Sequence, residues 1–123
     1  MSLLNLNTPL DTLALSSPFE GLLVVRLNRP QVANSISTTM GRELIAVFDA
    51  IEAAPEAYRC VVLTGAGDRV FCAGADLKER DGMTDAQFDT QHYLFERMIR
   101  AIYDCPVPLI ASVNGAAIAG WLE

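Results

Sequence analysis

Two loops of small residues carry the groups that could do chemistry, and the first contains Ala73-Gly74-Ala75. Small side chains let a substrate approach the backbone closely, so that main-chain N–H groups become available as hydrogen-bond donors. Such donors stabilise a carbonyl oxygen that gains negative charge during a reaction. On residue types alone the simpler alternative, a tight loop that needs small residues for packing, is favoured.

The second loop runs from Asn114 to Gly120, where we predict that a new helix begins. The N–H groups at a helix N-terminus are unpaired and carry the positive end of the helix dipole, which suits a developing oxyanion. Glu123 follows within one helical turn, which puts its carboxylate on the same face as the Gly120 N–H. An acid or base beside an oxyanion donor is what proton transfer next to a carbonyl requires. The alternative is a first-turn glutamate that only stabilises the helix dipole.

Other patterns are weaker signs of binding or reactivity. Gly65-Ala66-Gly67 lacks the third glycine of a dinucleotide-binding loop, because Val70 occupies that position. Cys72 has no accompanying base, so we interpret it as a small buried thiol. The cysteines form no CxxC pair and His92 is the single histidine, so the sequence predicts no metal site. The charged segment 76–81 is predicted to be mostly solvated.

Short apolar runs predict the strands that must position these loops. They cover residues 22–27, 60–63 and 107–113, each bounded by glycine, proline or asparagine. Residues 1–20 are irregular and are interpreted as a leader or an edge strand. Strands that alternate with helices indicate an α/β unit whose strands are largely parallel.

Two helices are predicted between these strands. Apolar residues at helical spacing over 40–51 indicate the first, with Ser37 or Thr38 as its N-cap. The second begins with a capping box at Thr84, and its apolar stripe over residues 88–102 is predicted to be core.

Length and charge limit the class of protein. At 123 residues and 51% hydrophobic content, the chain has room for about one domain with a buried core. Nine Lys+Arg against fifteen Asp+Glu give a net charge of −6, which argues against nucleic acid as a partner. The uncharged run 105–122 contains two prolines and therefore predicts strand and loop, with no membrane span. No targeting signal is recognisable, so a cytoplasmic location is expected.

Three segments taken together resemble a known family. NRPQVANSIS (28–37), FCAGADLKER (71–80) and NGAAIAGWLE (114–123), in this order and spacing, resemble the crotonase superfamily, whose best-known members are enoyl-CoA hydratases. The resemblance covers the chain from residue 20 to its end. It implies an α/β fold, a crotonase-like spiral of repeated ββα units, of which residues 20–123 are the N-terminal part, ending at the start of a helix.

The resemblance also implies roles for individual residues toward an acyl-CoA thioester. The backbone N–H groups of Ala73 and Gly120 would hold the thioester oxygen, and Glu123 would be the first of two catalytic glutamates that activate water. The residues implied to line the bound coenzyme A are Val32, Ala73, Gly74, Ala75 and Asp76, together with Gly120 at the thioester. No cofactor is implied beyond the coenzyme A of the substrate. The complete protein is expected to form a homotrimer or a dimer of trimers.

The implied reaction is the addition of water to a 2-enoyl-CoA thioester. An isomerase or thioester hydrolase with the same loops, and a truncated non-catalytic fragment that only binds acyl-CoA, are the alternatives. The second glutamate has no counterpart within these residues. Trp121 stands where the family usually has a small residue. Positive charge for the coenzyme A phosphates would come from a few local side chains: Arg26, Arg29, Lys78 and Arg80.

Overall fold

A computed structural model of the protein describes residues 9–117, and the main sheet within them has four strands. In spatial order they are β1 (Leu13–Ser16), β2 (Leu22–Leu27), β3 (Cys60–Gly65) and β5 (Leu109–Ser112). The last three run parallel, and β1 lies antiparallel to β2 at the edge of the sheet. The predicted strands and their largely parallel arrangement are confirmed, although the last strand is shorter than its apolar run.

Two long helices cover the sheet and pack against each other. Helix α1 (Thr38–Ala53) begins at Ser37, whose Oγ accepts a hydrogen bond from the Met40 N–H at 3.2 Å. Helix α3 (Asp85–Tyr103) begins with the predicted capping box between Thr84 and Gln87. The core between these layers consists of buried apolar side chains, among them Leu23, Val25, Leu27, Met40, Leu44, Phe48, Val61, Phe71 and Met98.

The parallel strands bring three loops to one edge of the sheet, because their carboxyl ends all point the same way. Strand β2 leads into a 3₁₀ turn at Pro30–Val32, and β3 leads into residues 66–69 of the glycine-rich segment 64–80. Strand β5 leads into Asn114. The segments that follow β2, β3 and β5 are therefore neighbours in space.

The glycine-rich segment contains regular structure that its sequence did not predict. Strand β4 (Val70–Cys72) pairs in parallel with β6 (Ala116–Ala117) in a small second sheet. An isolated parallel bridge then joins Ala75 to Ile36. These pairings link the first small-residue loop both to the second and to the turn after β2.

A short helix, α2 (Leu77–Arg80), follows, and its side chains are not merely solvated as predicted. The Glu79 carboxylate accepts hydrogen bonds from the Thr38 N–H at 2.8 Å and from Gln91 Nε2 at 2.6 Å. Arg80 Nε donates to Gln91 Oε1 at 2.9 Å. Polar contacts thus dock α2 on both long helices.

The apolar stripe of α3 is only partly core, which corrects the prediction for residues 88–102. Met98 is 1% exposed, whereas Phe88 and Ile99 are 41% and 46% exposed. Apolar periodicity identifies the face of a helix, and it does not say how completely that face is covered.

Among the helices of residues 9–117, none combines the length and the apolar character that a membrane span requires.

Candidate functional site

The first small-residue loop is held against the turn after β2 by backbone hydrogen bonds. The Ile36 N–H donates to the Gly74 carbonyl at 2.8 Å, and the Asp76 N–H donates to the Ile36 carbonyl at 2.9 Å. The Ala73 N–H donates to the Ala33 carbonyl at 3.0 Å. Gly74 lies between these contacts with φ +90°, a left-handed conformation that glycine adopts without steric cost.

These bonds change which amide is available to a ligand. The Ala73 N–H, predicted to hold a thioester oxygen, is already paired with Ala33 and is not offered as a free donor here. The Gly74 N–H lies 3.4 Å from Cys72 Sγ. Within residues 9–117 the Ala75 N–H has no hydrogen-bond partner, since the bridge to Ile36 uses only the flanking Gly74 carbonyl and Asp76 N–H. Ala75 therefore replaces Ala73 as the candidate donor.

Ala75 lies in the wall of an open apolar cavity of about 560 Å³. The lining also includes side chains of α3 and residues of β3 and β5. The lining side chains are largely aliphatic and aromatic, including Phe95, Met98, Ile99, Ile102, Leu63 and Leu109. A hydrogen-bond donor at the rim of an apolar cavity suits a ligand with a polar carbonyl joined to a hydrocarbon chain.

Asp76 was expected to line the bound coenzyme A, but its carboxylate is occupied within the protein. Oδ1 accepts from the Lys78 and Glu79 N–H groups as the N-cap of α2, at 3.0 and 3.2 Å. Oδ2 accepts from both terminal nitrogens of Arg29 at 3.1 Å. Burial opposes ionisation, but the Glu79 N–H and the Arg29 guanidinium outweigh it and hold the pKa of Asp76 below its usual value. The Asp76 main chain is paired as well, since its N–H donates to the Ile36 carbonyl and its carbonyl accepts from the Arg80 N–H.

A buried asparagine that sequence reasoning missed joins the turn after β2 to the segment after β3. Asn34 is 0% exposed, and its Oδ1 accepts from the Arg29 N–H at 2.9 Å. Its Nδ2 donates to the carbonyls of Ala66 and Val70 at 3.0 and 3.1 Å. Its φ is +52°, a conformation that asparagine tolerates better than most residues. Its place just after a proline turn is a signal that could have identified it.

Asn114 links the loop after β5 to the segment after β3. Its Oδ1 accepts from the Gly65 N–H at 3.2 Å, and its Nδ2 donates to the Gly67 carbonyl at 2.8 Å. Val32, expected at the nucleotide end of coenzyme A, is half-buried in the neighbouring 3₁₀ turn. The structure thus brings Val32 and residues 73–76 together.

The remaining candidates have no reactive setting in the described residues. Cys72 is 0% exposed, and burial raises the pKa of its thiol to about 11 despite the hydrogen bond from Gly74. His92 is exposed on α3 and pairs with Glu96 at 3.0 Å. Across residues 9–117, no three His, Cys, Asp or Glu side chains are grouped so that they could hold a metal ion. Gly120, Trp121 and Glu123 lie outside the described residues.

Comparison with known proteins accounts for this combination of loops and cavity. A sequence model described as "Enoyl-CoA hydratase/isomerase" matches residues 19–123. The chain belongs to this family. The resemblance inferred from the motifs at 28–37, 71–80 and 114–123 is therefore confirmed.

Individual relatives agree with this assignment. The enoyl-CoA hydratase/isomerase family member named "Putative enoyl-CoA hydratase/isomerase YngF" in Bacillus subtilis is 40% identical over 113 residues, which are 92% of this chain and 43% of that protein. The mouse "Enoyl-CoA hydratase domain-containing protein 2, mitochondrial" is 34% identical over 110 residues, 89% of this chain and 37% of that protein. The chain thus spans about two-fifths of the length of these relatives.

Solved structures confirm the fold. The crystal structure of an enoyl-CoA hydratase from Bacillus anthracis superposes with a TM-score of 0.85 at 34% identity, over 90% of this chain and 43% of that one. Pseudomonas aeruginosa AtuE gives a TM-score of 0.79 at 38% identity, over 86% and 41% of the two chains. The α/β arrangement of this enoyl-CoA hydratase/isomerase family member is thus the crotonase-like fold, as expected.

Proposed function

We propose that the full-length protein is an enoyl-CoA hydratase, a lyase that adds water to the double bond of a 2-enoyl-CoA thioester. The observation that carries the proposal is that the Ala75 N–H has no partner among the described residues and that Ala75 lines an apolar cavity of about 560 Å³. A thioester oxygen needs the donor, and an acyl chain needs the cavity. Family membership supports acyl-CoA as the substrate class.

The proposed chemistry follows from these parts. The water oxygen bonds to C3 of the enoyl group, and the displaced electron pair moves through C2 to the thioester oxygen to give an enolate. The N–H groups of Ala75 and Gly120 hold that oxygen as it gains charge. Glu123, with a second acid, takes a proton from water and returns one to C2. The double bond is thereby replaced by a hydroxyl group on C3 and a hydrogen on C2.

Substrate binding is assigned to the backbone around the same loop. Val32 and residues 73–76 line the coenzyme A arm, and Asp76 does so only as a neighbour because its carboxylate, N–H and carbonyl all have partners within the protein. We propose no cofactor beyond the coenzyme A of the substrate, a cytoplasmic location, and assembly of the complete protein into trimers or dimers of trimers. The mass of the purified protein in light scattering tests the assembly.

The decisive test removes the donor alone. Ala75→Pro deletes the N–H, while the bridge to Ile36 is kept because it uses the neighbouring residues. Loss of one oxyanion donor is expected to lower kcat for hydration by about a hundredfold to a thousandfold. The matched control Ala75→Gly keeps the N–H and should retain activity. Equal activity of the two variants, both shown to be folded by circular dichroism, would remove Ala75 from the mechanism.

A second test addresses the acid and the reaction type. Glu123→Gln is expected to lower turnover far more than it weakens acyl-CoA binding, and near-normal turnover would sink this role. Because the B. subtilis relative is named a hydratase/isomerase, double-bond isomerisation is the second candidate. A panel of CoA thioesters separates the two, since only a hydratase consumes the conjugated enoyl absorbance with water alone. Turnover confined to unconjugated enoyl thioesters would favour the isomerase.

A further inference from the structure

The Asp76 carboxylate lies at a junction between the candidate donor loop, helix α2 and the turn after β2. One oxygen caps α2, and the other receives both terminal nitrogens of Arg29, 47 residues earlier in the chain. Both side chains are well shielded, with 19% of Arg29 and 14% of Asp76 exposed. An ion pair with several hydrogen bonds in such a place holds its geometry better than an exposed pair.

Arg29 connects this junction to the backbone that holds the loop. Its Nη1 also donates to the Ser35 carbonyl at 2.9 Å. That carbonyl lies between Ala33 and Ile36, the two residues whose carbonyls accept the N–H groups of Ala73 and Asp76. The guanidinium thus holds residues 33–36, the strip of backbone that pairs with residues 73–76 around Ala75.

Ala75 is consequently fixed on both sides, while its own N–H has no partner among the described residues. The segment is held before it through Ala73 and Gly74, and after it through Asp76, by main chain and side chain together. Among residues 9–117, Arg29 is the one side chain other than the adjacent Cys72 that makes a hydrogen bond to this segment from outside it, and loss of the Arg29 contact removes that support. The direction of the Ala75 N–H is then set by the backbone bridge alone.

We propose that the Arg29–Asp76 pair is a positioning device for the Ala75 N–H, which acts on the transition state and contributes little to substrate binding. This inference rests on the proposed function. An oxyanion donor must be aimed before the reaction begins, and a misplacement of about 1 Å can cost on the order of a hundredfold in rate. Both residues therefore act through Ala75 and touch no reacting atom.

The same contacts argue against the two direct roles that these side chains could have. Arg29 was a candidate for binding the coenzyme A phosphates, but its guanidinium is already engaged with Asp76 and Ser35. A carboxylate such as Asp76 would repel a phosphate, and both of its oxygens are engaged.

The test compares variants that separate the Arg29–Asp76 ion pair from the role of Asp76 as the N-cap of α2. Arg29→Gln leaves the Asp76 cap in place, and Asp76→Ser keeps a capping hydroxyl that is too short to reach Arg29. Each is expected to lower kcat by about tenfold or more while KM changes less than about threefold. The double variant should be no worse than either single one, because both remove the same contact. Arg29→Lys keeps the positive charge but has one terminal nitrogen in place of two, and it should recover part of kcat relative to Arg29→Gln.

The exposed pair between Arg97 and Asp49, at 2.7 Å, is the matched control. Arg97→Gln also removes an ion pair, but one that joins α1 to α3 away from the loop, so kcat should be unchanged. If Arg29→Gln and Arg29→Lys fold with the wild-type kcat while the wild type is active, the positioning role is overturned and the proposed function stands. A loss in KM alone would also overturn it.

A separate readout tests the brace if the wild type hydrates no enoyl-CoA, which would mean that the proposed function has failed. Hydrogen exchange in the segment 74–77 of the full-length protein should then be faster by about tenfold in Arg29→Gln than in the wild type or Arg97→Gln. Unchanged exchange in that segment would show that the pair does not hold the loop.

Discussion

Replacement of Asn34 by alanine should be among the most destabilising single changes in this fold. Asn34 is 0% exposed, and it satisfies the Arg29 N–H and the carbonyls of Ala66 and Val70. Alanine removes all three bonds at a position that is closed to bulk water. It must also adopt φ +52°, which alanine does less readily than asparagine.

The magnitude follows from counting the groups left without a partner. The Val70 carbonyl keeps a long contact with Asn114 Nδ2 at 3.4 Å, so the Arg29 N–H and the Ala66 carbonyl carry most of the loss. Each buried group left unpaired costs about 1–3 kcal/mol. With about 1 kcal/mol for the left-handed backbone, the expected loss in the free energy of unfolding is about 3–7 kcal/mol.

Urea denaturation of the full-length protein, followed by circular dichroism, measures this loss. Asn114→Ala is the matched control, because Asn114 also bonds to the segment after β3 but is half-buried, so water can replace its bonds. Its expected cost is about 1 kcal/mol. Asn34→Asp should be worse at neutral pH than at acid pH, since it places a charge against two carbonyl oxygens. An Asn34→Ala loss equal to that of Asn114→Ala would refute the reasoning.

Three further outcomes are expected. Burial raises the pKa of the Cys72 thiol to about 11, so at pH 8 a disulfide reagent should modify the half-buried Cys105 and leave Cys72 intact until the protein unfolds. The pKa of Asp76 is lowered in the native state. The stabilising contribution of its carboxylate should therefore be complete above the pKa of about 4 in the unfolded chain, and it should disappear as the pH falls through the native pKa. Acid titration of the stability of the wild type against that of Asp76→Asn measures this loss. A Cβ at Gly115 would collide with the Arg69 carbonyl oxygen, so Gly115→Ala should lower the stability measured by thermal unfolding by about 2 kcal/mol or more. Gly82→Ala should cost less, because the added atom meets nothing within 4 Å there and only φ +82° opposes it. A loss for Gly115→Ala equal to or smaller than that for Gly82→Ala would contradict the steric argument.

Local patterns in the sequence were enough to predict the layers of this fold. The apolar spacing over 40–51 gives α1, and the capping box at Thr84 gives the start of α3, because both signals depend on neighbours within one or two turns. The three motifs gave the family, and with it the crotonase-like architecture. These local signals do not say what packs against each apolar face. The prediction that the stripe over 88–102 is core was therefore only partly right, since Ile99 is 46% exposed.

The contacts that build the site join residues far apart in sequence. Arg29 and Asp76 are 47 residues apart, and Asn34 and Val70 are 36 apart. Neither residue type nor spacing predicts such a pair, since many charged and polar side chains of the chain could meet on these criteria. Asp76 was therefore placed on the ligand, whereas its carboxylate has internal partners on both oxygens.

The choice between Ala73 and Ala75 shows why composition identifies a loop of donors but not the donor. In a regular extended segment successive amides point to opposite sides, so residues 73 and 75 would point the same way and 76 the other way. Here the N–H groups of Ala73 and Asp76 both point to the strip at 33–36, which breaks this alternation. The break falls between Ala73 and Asp76, where Gly74 has φ +90°, and it leaves the N–H of Ala75, a residue that lines the cavity, without a partner on the strip. A single glycine dihedral thus decides which of two identical residues can polarise a carbonyl, and that dihedral is fixed by pairing with a segment some forty residues earlier.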